Sequence, residues 1–133
     1  AATTRDYLKA GAAHLLYTQR FDKAEEYLSK ALELGAETGA TLEALAETYY
    51  RQGQLQRARA IYQDLYNSGS GSTAVLNNLS NLLLKAGDLQ GSANLLEQLL
   101  NLGIENPTRK ERIQQNLSAL RRAIAEQPSS SDQ

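Results

Sequence analysis

"YNSGSGSTAV", residues 66–75, decides how the rest of the chain is read. Ser68-Gly69-Ser70-Gly71-Ser72 has the composition of a flexible linker, a phosphate-binding loop, or a turn inside a repeating structure. A phosphate loop needs a strand before it and a lysine after its glycines, and neither is found here. A linker between unrelated domains would break any periodicity running through it. The flanking sequence must therefore settle whether one register persists across residues 68–72.

It does persist. Shifted by 34 residues, the sequence aligns on itself without a gap: Leu8 falls on Leu42 and Leu76, Ala12 on Ala46 and Ser80, Leu15 on Tyr49 and Leu83. Further along, Phe21 meets Leu55 and Leu89, Ala24 meets Ala58 and Ser92, and Leu28 meets Tyr62 and Leu96. Within a copy the apolar positions step by three and four, as in Leu42, Leu45, Ala46 and Tyr49 and again in Leu55, Ala58, Tyr62, Leu65 and Tyr66, which is helical spacing. Gly53 and Gly87 separate the two runs of their copies and suit a left-handed helix cap, whereas the first copy has Gln19 there. Each copy reads as two helices joined by a tight turn, and residues 68–72 read as the turn between copies. Such repeats should be sought first, because they fix the whole architecture.

The pattern resembles the tetratricopeptide repeat, a 34-residue helix-turn-helix unit. The resemblance covers 5–38, 39–72 and 73–106, with its small first-helix residue at Ala12, Ala46 and Ser80 and its second-helix alanine at Ala24, Ala58 and, substituted, Ser92. Its first-helix tyrosine is Tyr49, replaced by Leu15 and Leu83. A second alanine is kept at Ala31 but becomes Leu65 and Leu99, and the usual proline is replaced by Ala36, Ser70 and Ile104. The resemblance implies an all-α, right-handed α-solenoid of three repeats within a domain spanning 1–126. Seven helices are expected at 5–18, 22–35, 39–52, 55–67, 73–86, 89–102 and 108–126.

The last of these is a capping helix over 107–126. Pro107 suits a first helical turn, and Thr108 with Glu111 fits a capping box. Ile113, Leu117, Leu120 and Ile124 form one apolar stripe, while Arg109, Lys110, Arg112, Arg121 and Arg122 occupy the other faces. That one-sided pattern is what the open end of a repeat stack needs, and the cations read as its solvated face. The tail at 127–133 is too polar to pack and is expected to be disordered.

Composition excludes more than it identifies. Across 133 residues the net charge is −1, with 41% hydrophobic and 22% charged residues. These are globular values with no electrostatic case for nucleic acid, and no apolar run is long enough to span a bilayer. The chain has neither cysteine nor methionine, so thiolate metal sites are excluded and the sequence reads as a mature or excised fragment. Its one histidine, His14, matches no catalytic spacing and reads as structural or groove-lining. Glu25 and Glu26 diverge by about 100° around a helix and read as solvated charges beside Lys23 and Lys30. No enzymatic activity, metal or cofactor is expected.

Among the tyrosines, Tyr49, Tyr62 and Tyr66 lie on packing stripes and read as core. In the family that the chain resembles, first helices line a concave groove for peptides or partner helices. The chaperone-tail subclass of that groove is disfavoured, because its clamp positions fall on Lys9, Ala13, Ala44, Ala74 and Asn78, of which only Lys9 and Asn78 are compatible. The partner-binding candidates are Lys9, Tyr17, Glu47, Tyr50, Arg51, Asn77, Asn78, Asn81 and Lys85. Three asparagines within about one turn can donate to and accept from a peptide backbone whatever its sequence. The expected function is therefore protein or peptide binding, with self-association or packing within a larger protein as the alternative. Alanine-rich, methionine-free helices with a serine tail resemble bacterial repeat proteins of envelope, pilus and secretion assembly, periplasmic or cytoplasmic.

Overall fold

The computed structural model describes residues 2–14, 20–35 and 38–127. Among them are seven helices and no strand: α1 (Thr4–Ala13), α2 (Phe21–Glu33), α3 (Thr38–Arg51), α4 (Leu55–Asn67), α5 (Thr73–Lys85), α6 (Leu89–Asn101) and α7 (Pro107–Glu126). The all-α class expected from the periodicity is what the structure shows. Six of the seven expected helices agree to within two residues at each end. The last residues of the expected first helix, together with the tail from 128, lie outside the described residues.

The opening stretch ends one helix and starts the next. Gly69 takes φ +82°, a conformation that costs any residue with a Cβ. This lets the Gly69 N–H donate to Tyr66 O at 3.1 Å and the Ser70 N–H donate to Leu65 O at 2.9 Å, the paired bonds of a Schellman cap. The Ser72 hydroxyl then accepts from the Val75 N–H at 3.2 Å and caps α5. The same paired bonds close α3 at Gly53 and α5 at Gly87, the two glycines that the sequence marked as turns.

The chain divides within this stretch into two compact units, Ala1–Gly71 and Ser72–Gln133. In the first, α1 packs on α2, α2 on α3 and α3 on α4. Ala24, Leu28 and Leu45 form a buried cluster there, with Leu8, Phe21, Ala44, Tyr49 and Ile61 against it. Gly11 is buried beside Leu28, so close that a Cβ added to it would lie 2.6 Å from Leu28 Cγ. In the second unit α5 packs on α6 and α6 on α7. Val75, Leu76, Leu79 and Leu82 of α5 and Leu95, Leu96 and Leu99 of α6 are buried there, as are Ile113, Leu117 and Leu120 of α7.

Several local expectations need correction. Tyr62 is fully buried, but Tyr49 and Tyr66 are only half-buried. The Tyr49 hydroxyl reaches Glu25 at 3.2 Å, so Glu25 is not a free solvated charge, whereas Lys23–Glu26 is an exposed pair at 3.3 Å. The Arg57 guanidinium lies 5.4 Å from the Tyr49 ring centroid. Burial, then the Glu25 charge, raises the Tyr49 hydroxyl above its ordinary pKa of 10.0, since both disfavour a phenolate. Finally, α7 is capped by Asn106, whose side chain accepts from the Arg109 N–H at 3.0 Å, and not by Thr108. With Pro107 at the first helical position, the cap must precede it.

Candidate functional site

The sequence-derived site residues fall into two sets on different compact units. In the first unit Lys9 is exposed on α1, and Glu47, Tyr50 and Arg51 follow one another along α3. Arg51 and Glu47 pair at 2.9 Å across one helical turn, each about one-third exposed, so neither charge faces a partner unopposed. An exposed pair of this kind is worth at most about 1 kcal/mol and yields readily. Tyr17 lies outside the described residues. His14 stacks on Tyr27 at 5.4 Å between ring centroids, and Tyr27 in turn on Tyr7 at 6.2 Å. At the start of the same helix, hydrogen bonds from the Thr3 backbone and hydroxyl hold the Asp6 carboxyl below its usual 3.8.

The second unit brings its residues into a groove. Buried Leu76 and Leu79 direct one face of α5 inward, which leaves Asn77, Asn81 and Leu84 on another. Across from them α7 presents Asn116, Ala119 and Ala123, and between them lie Leu89 and Leu96 of α6. The groove is open to solvent and its volume is about 370 Å³. Buried Ser80 and Ser92 approach it too, with their hydroxyl oxygens 2.8 Å apart, so each satisfies the other. Leu84 is 43% exposed at the rim, an apolar group left in water.

A second depression of about 360 Å³ adjoins the first and shares Asn77, Ile113 and Asn116 with it. Its other walls are Asn106, Thr108, Arg109 and Arg112. Together the two form one trough, apolar at the Leu84 and Ala123 end and cationic at the Arg109 end. Among the described residues, no hydrogen bond engages the side chains of Asn77, Asn81 or Asn116. Asn78 and Lys85 do not line the trough: each stands one step from a lining residue, Asn77 or Leu84, and so about 100° away from it around the helix.

Read from the sequence as a capping helix with a solvated cationic face, α7 does not declare Asn116 or Arg112 as site residues. The signal was present: the 34-residue register carries Leu79 onto Ile113 and Leu83 onto Leu117. By that register α7 stands where a further first helix would, and first helices supply groove walls. Nothing among the described residues gathers three or more His, Cys, Asp or Glu side chains as a metal would require. No helix of the described residues is long and apolar enough to cross a membrane.

Two family models for the tetratricopeptide repeat match the chain, one over residues 9–73 and the other over 73–105. They meet at the residue that opens α5. Among solved structures, the first TPR domain of the human RPAP3 protein, determined by NMR, is similar with a TM-score of 0.69 at 14% identity. The match covers 90% of this chain and 96% of that one. At such identity the likeness concerns the fold. No curated protein matches the chain.

Proposed function

Because this chain belongs to the tetratricopeptide-repeat family, whose repeats generally mediate protein–protein interaction, we propose that it is a non-enzymatic module that holds a peptide segment of a partner in the α5–α7 groove. The observation that carries this reading is the set of Asn77, Asn81 and Asn116 carboxamides, lining one groove and engaged by no hydrogen bond among the described residues. Carboxamides both donate and accept, so they serve a peptide backbone without demanding its sequence. Leu84, exposed at the rim beside them, offers apolar area that a partner's side chain would cover. Lys9, Glu47, Tyr50 and Arg51 are the contact surface we assign to the first unit, and Asn78 and Lys85 extend that of the second. The alanine-rich, methionine-free helices support a place in assembling bacterial envelope, pilus or secretion complexes.

Replacing Asn77 and Asn81 together by alanine tests the groove. Circular dichroism should be nearly unchanged, because Asn81 is exposed and Asn77 half-buried. Affinity for peptides selected from a random display library should fall by more than about 1 kcal/mol, the level that marks interface residues that matter. Wild-type affinity in the double variant would place the binding surface elsewhere.

A further inference from the structure

We infer that the segment held in the trough is extended, about six residues long, and acidic at the end that meets Arg109 and Arg112. This inference rests on the groove reading above and specifies its partner's chemistry.

Three observations carry it. First, Arg109 and Arg112 both line the polar half of the trough, and among the described residues neither forms an ion pair. Arg121, on another face of α7, pairs instead with Glu97 of α6. Two guanidiniums one turn apart present donors in the fork geometry that suits carboxylates. Second, no acidic side chain lines either half of the trough. An incoming carboxylate would meet cations and carboxamides in the lining itself. Third, the trough is asymmetric: its far end is Leu84, Leu89, Ala119 and Ala123, which would leave a charge there without a partner.

Length follows from the helix. From Arg109 to Ala123 is 14 residue steps along α7, or about 21 Å at 1.5 Å per residue. An extended strand covers that distance in about six residues. Extension follows from the asparagines, because a helical ligand satisfies its own backbone and would leave three carboxamides idle. The partner segment therefore reads as acidic residues at one end, a backbone held near Asn77, Asn81 and Asn116, and small or branched apolar residues at the other.

Selecting random seven-residue peptides on the full chain tests this, with R109E/R112E and N77A/N81A as paired variants. The wild-type pool should be rich in Asp and Glu at one end and in Leu, Ile and Val at the other. A labelled peptide from that pool should bind R109E/R112E at least tenfold more weakly, and more weakly in high salt. Should charge reversal prevent folding, R109Q/R112Q should still bind about threefold more weakly. Peptides weakened by N77A/N81A but indifferent to the arginine changes would overturn the acidic assignment and leave the groove standing. Peptides indifferent to both changes, or none recovered, would overturn both. Concentration-dependent dimerisation lost in R109E/R112E would assign the trough to a second copy of this chain and overturn the peptide inference.

Discussion

The first helical pair of the first unit and the helical pair of the second meet the same packing requirement with opposite chemistry. In both, two helices must approach closely at one level. In α5 and α6 the crossing is made by Ser80 and Ser92, whose hydroxyls bond at 2.8 Å, and the neighbouring Leu79 is fully buried. In α1 and α2 the place matching Leu79 is Gly11, and Leu28 from the partner helix fills the space that a side chain there would occupy. One pair is fastened by a buried polar contact and the other by a knob set in a glycine hollow. A repeat register thus specifies where helices touch, but leaves open which helix supplies the bulk.

The two units also end differently, and the largest expected effect lies there. The second unit covers its last pair with α7, burying Ile113, Leu117 and Leu120. At about 1.5–3 kcal/mol for each buried aliphatic side chain, removal of 107–133 should cost on the order of 5 kcal/mol, comparable to a whole domain's stability. Size-exclusion chromatography of the truncated chain should show aggregation, or calorimetry a much lower melting temperature. A stable monomer with an unchanged melt would show that α7 is dispensable.

Next comes the hollow itself. Leu28→Ala should cost about 4 kcal/mol, near the upper end for such truncations, because Gly11 has no atoms with which to close the cavity. Leu96→Ala, at the matching place in the second unit, should cost about 2 kcal/mol, since its cavity opens onto the groove. Gly11→Ala should be destabilising by about 1–3 kcal/mol, although the same change in a helix ordinarily gains up to about 1 kcal/mol. On a Leu28→Ala background that penalty should vanish, and a double-mutant cycle in urea would measure the coupling. Additive costs would refute the knob-in-hollow account.

The serine pair should behave in the contrary manner. Ser92→Ala alone leaves the buried Ser80 hydroxyl with its carbonyl contact at 3.3 Å only, and should cost about 1 kcal/mol. Replacing both serines by alanine should be nearly neutral, since Ala46 and Ala58 occupy the matching places in the first unit fully buried. A double variant worse than the sum of the singles would show that the hydroxyls do more than satisfy each other.

Much of this was legible in the sequence, and the illegible part has a common physical cause. The 34-residue register, the helical spacing and the turn glycines Gly53 and Gly87 depend on residues near in sequence, and the structure follows them. The hydrogen bond from Tyr49 to Glu25, the seating of Leu28 over Gly11 and the place of Asn116 in the groove wall depend on packing between helices. Helical spacing says that a residue faces outward, not what stands opposite it. The asparagines at 77 and 81 were identified from one helix, and their third partner appears only when α7 is in place.

The smallest expected effect concerns how helices begin. Helix α1 begins at a titratable cap, Asp6 with Thr3, whereas α5 and α7 begin at Ser72 and Asn106. Because the folded Asp6 pKa is lowered, its contribution is present above 3.8 and lost as pH falls through the lowered value. Thr3→Val removes the hydroxyl donor but not the backbone donor. An NMR titration should therefore show the Asp6 midpoint rising part of the way toward 3.8, and an unmoved midpoint would mean that the hydroxyl contributes nothing.

The most direct test of the groove is to watch its carboxamides while it fills. Side-chain amide signals of Asn77, Asn81 and Asn116, assigned by single replacement, should shift together and saturate at one affinity when a selected peptide is titrated into the labelled protein. Signals from α1 and α3, including those of Lys9 and Tyr50, should move less. Saturating shifts confined to α1 and α3, with the three asparagines unmoved, would contradict the account.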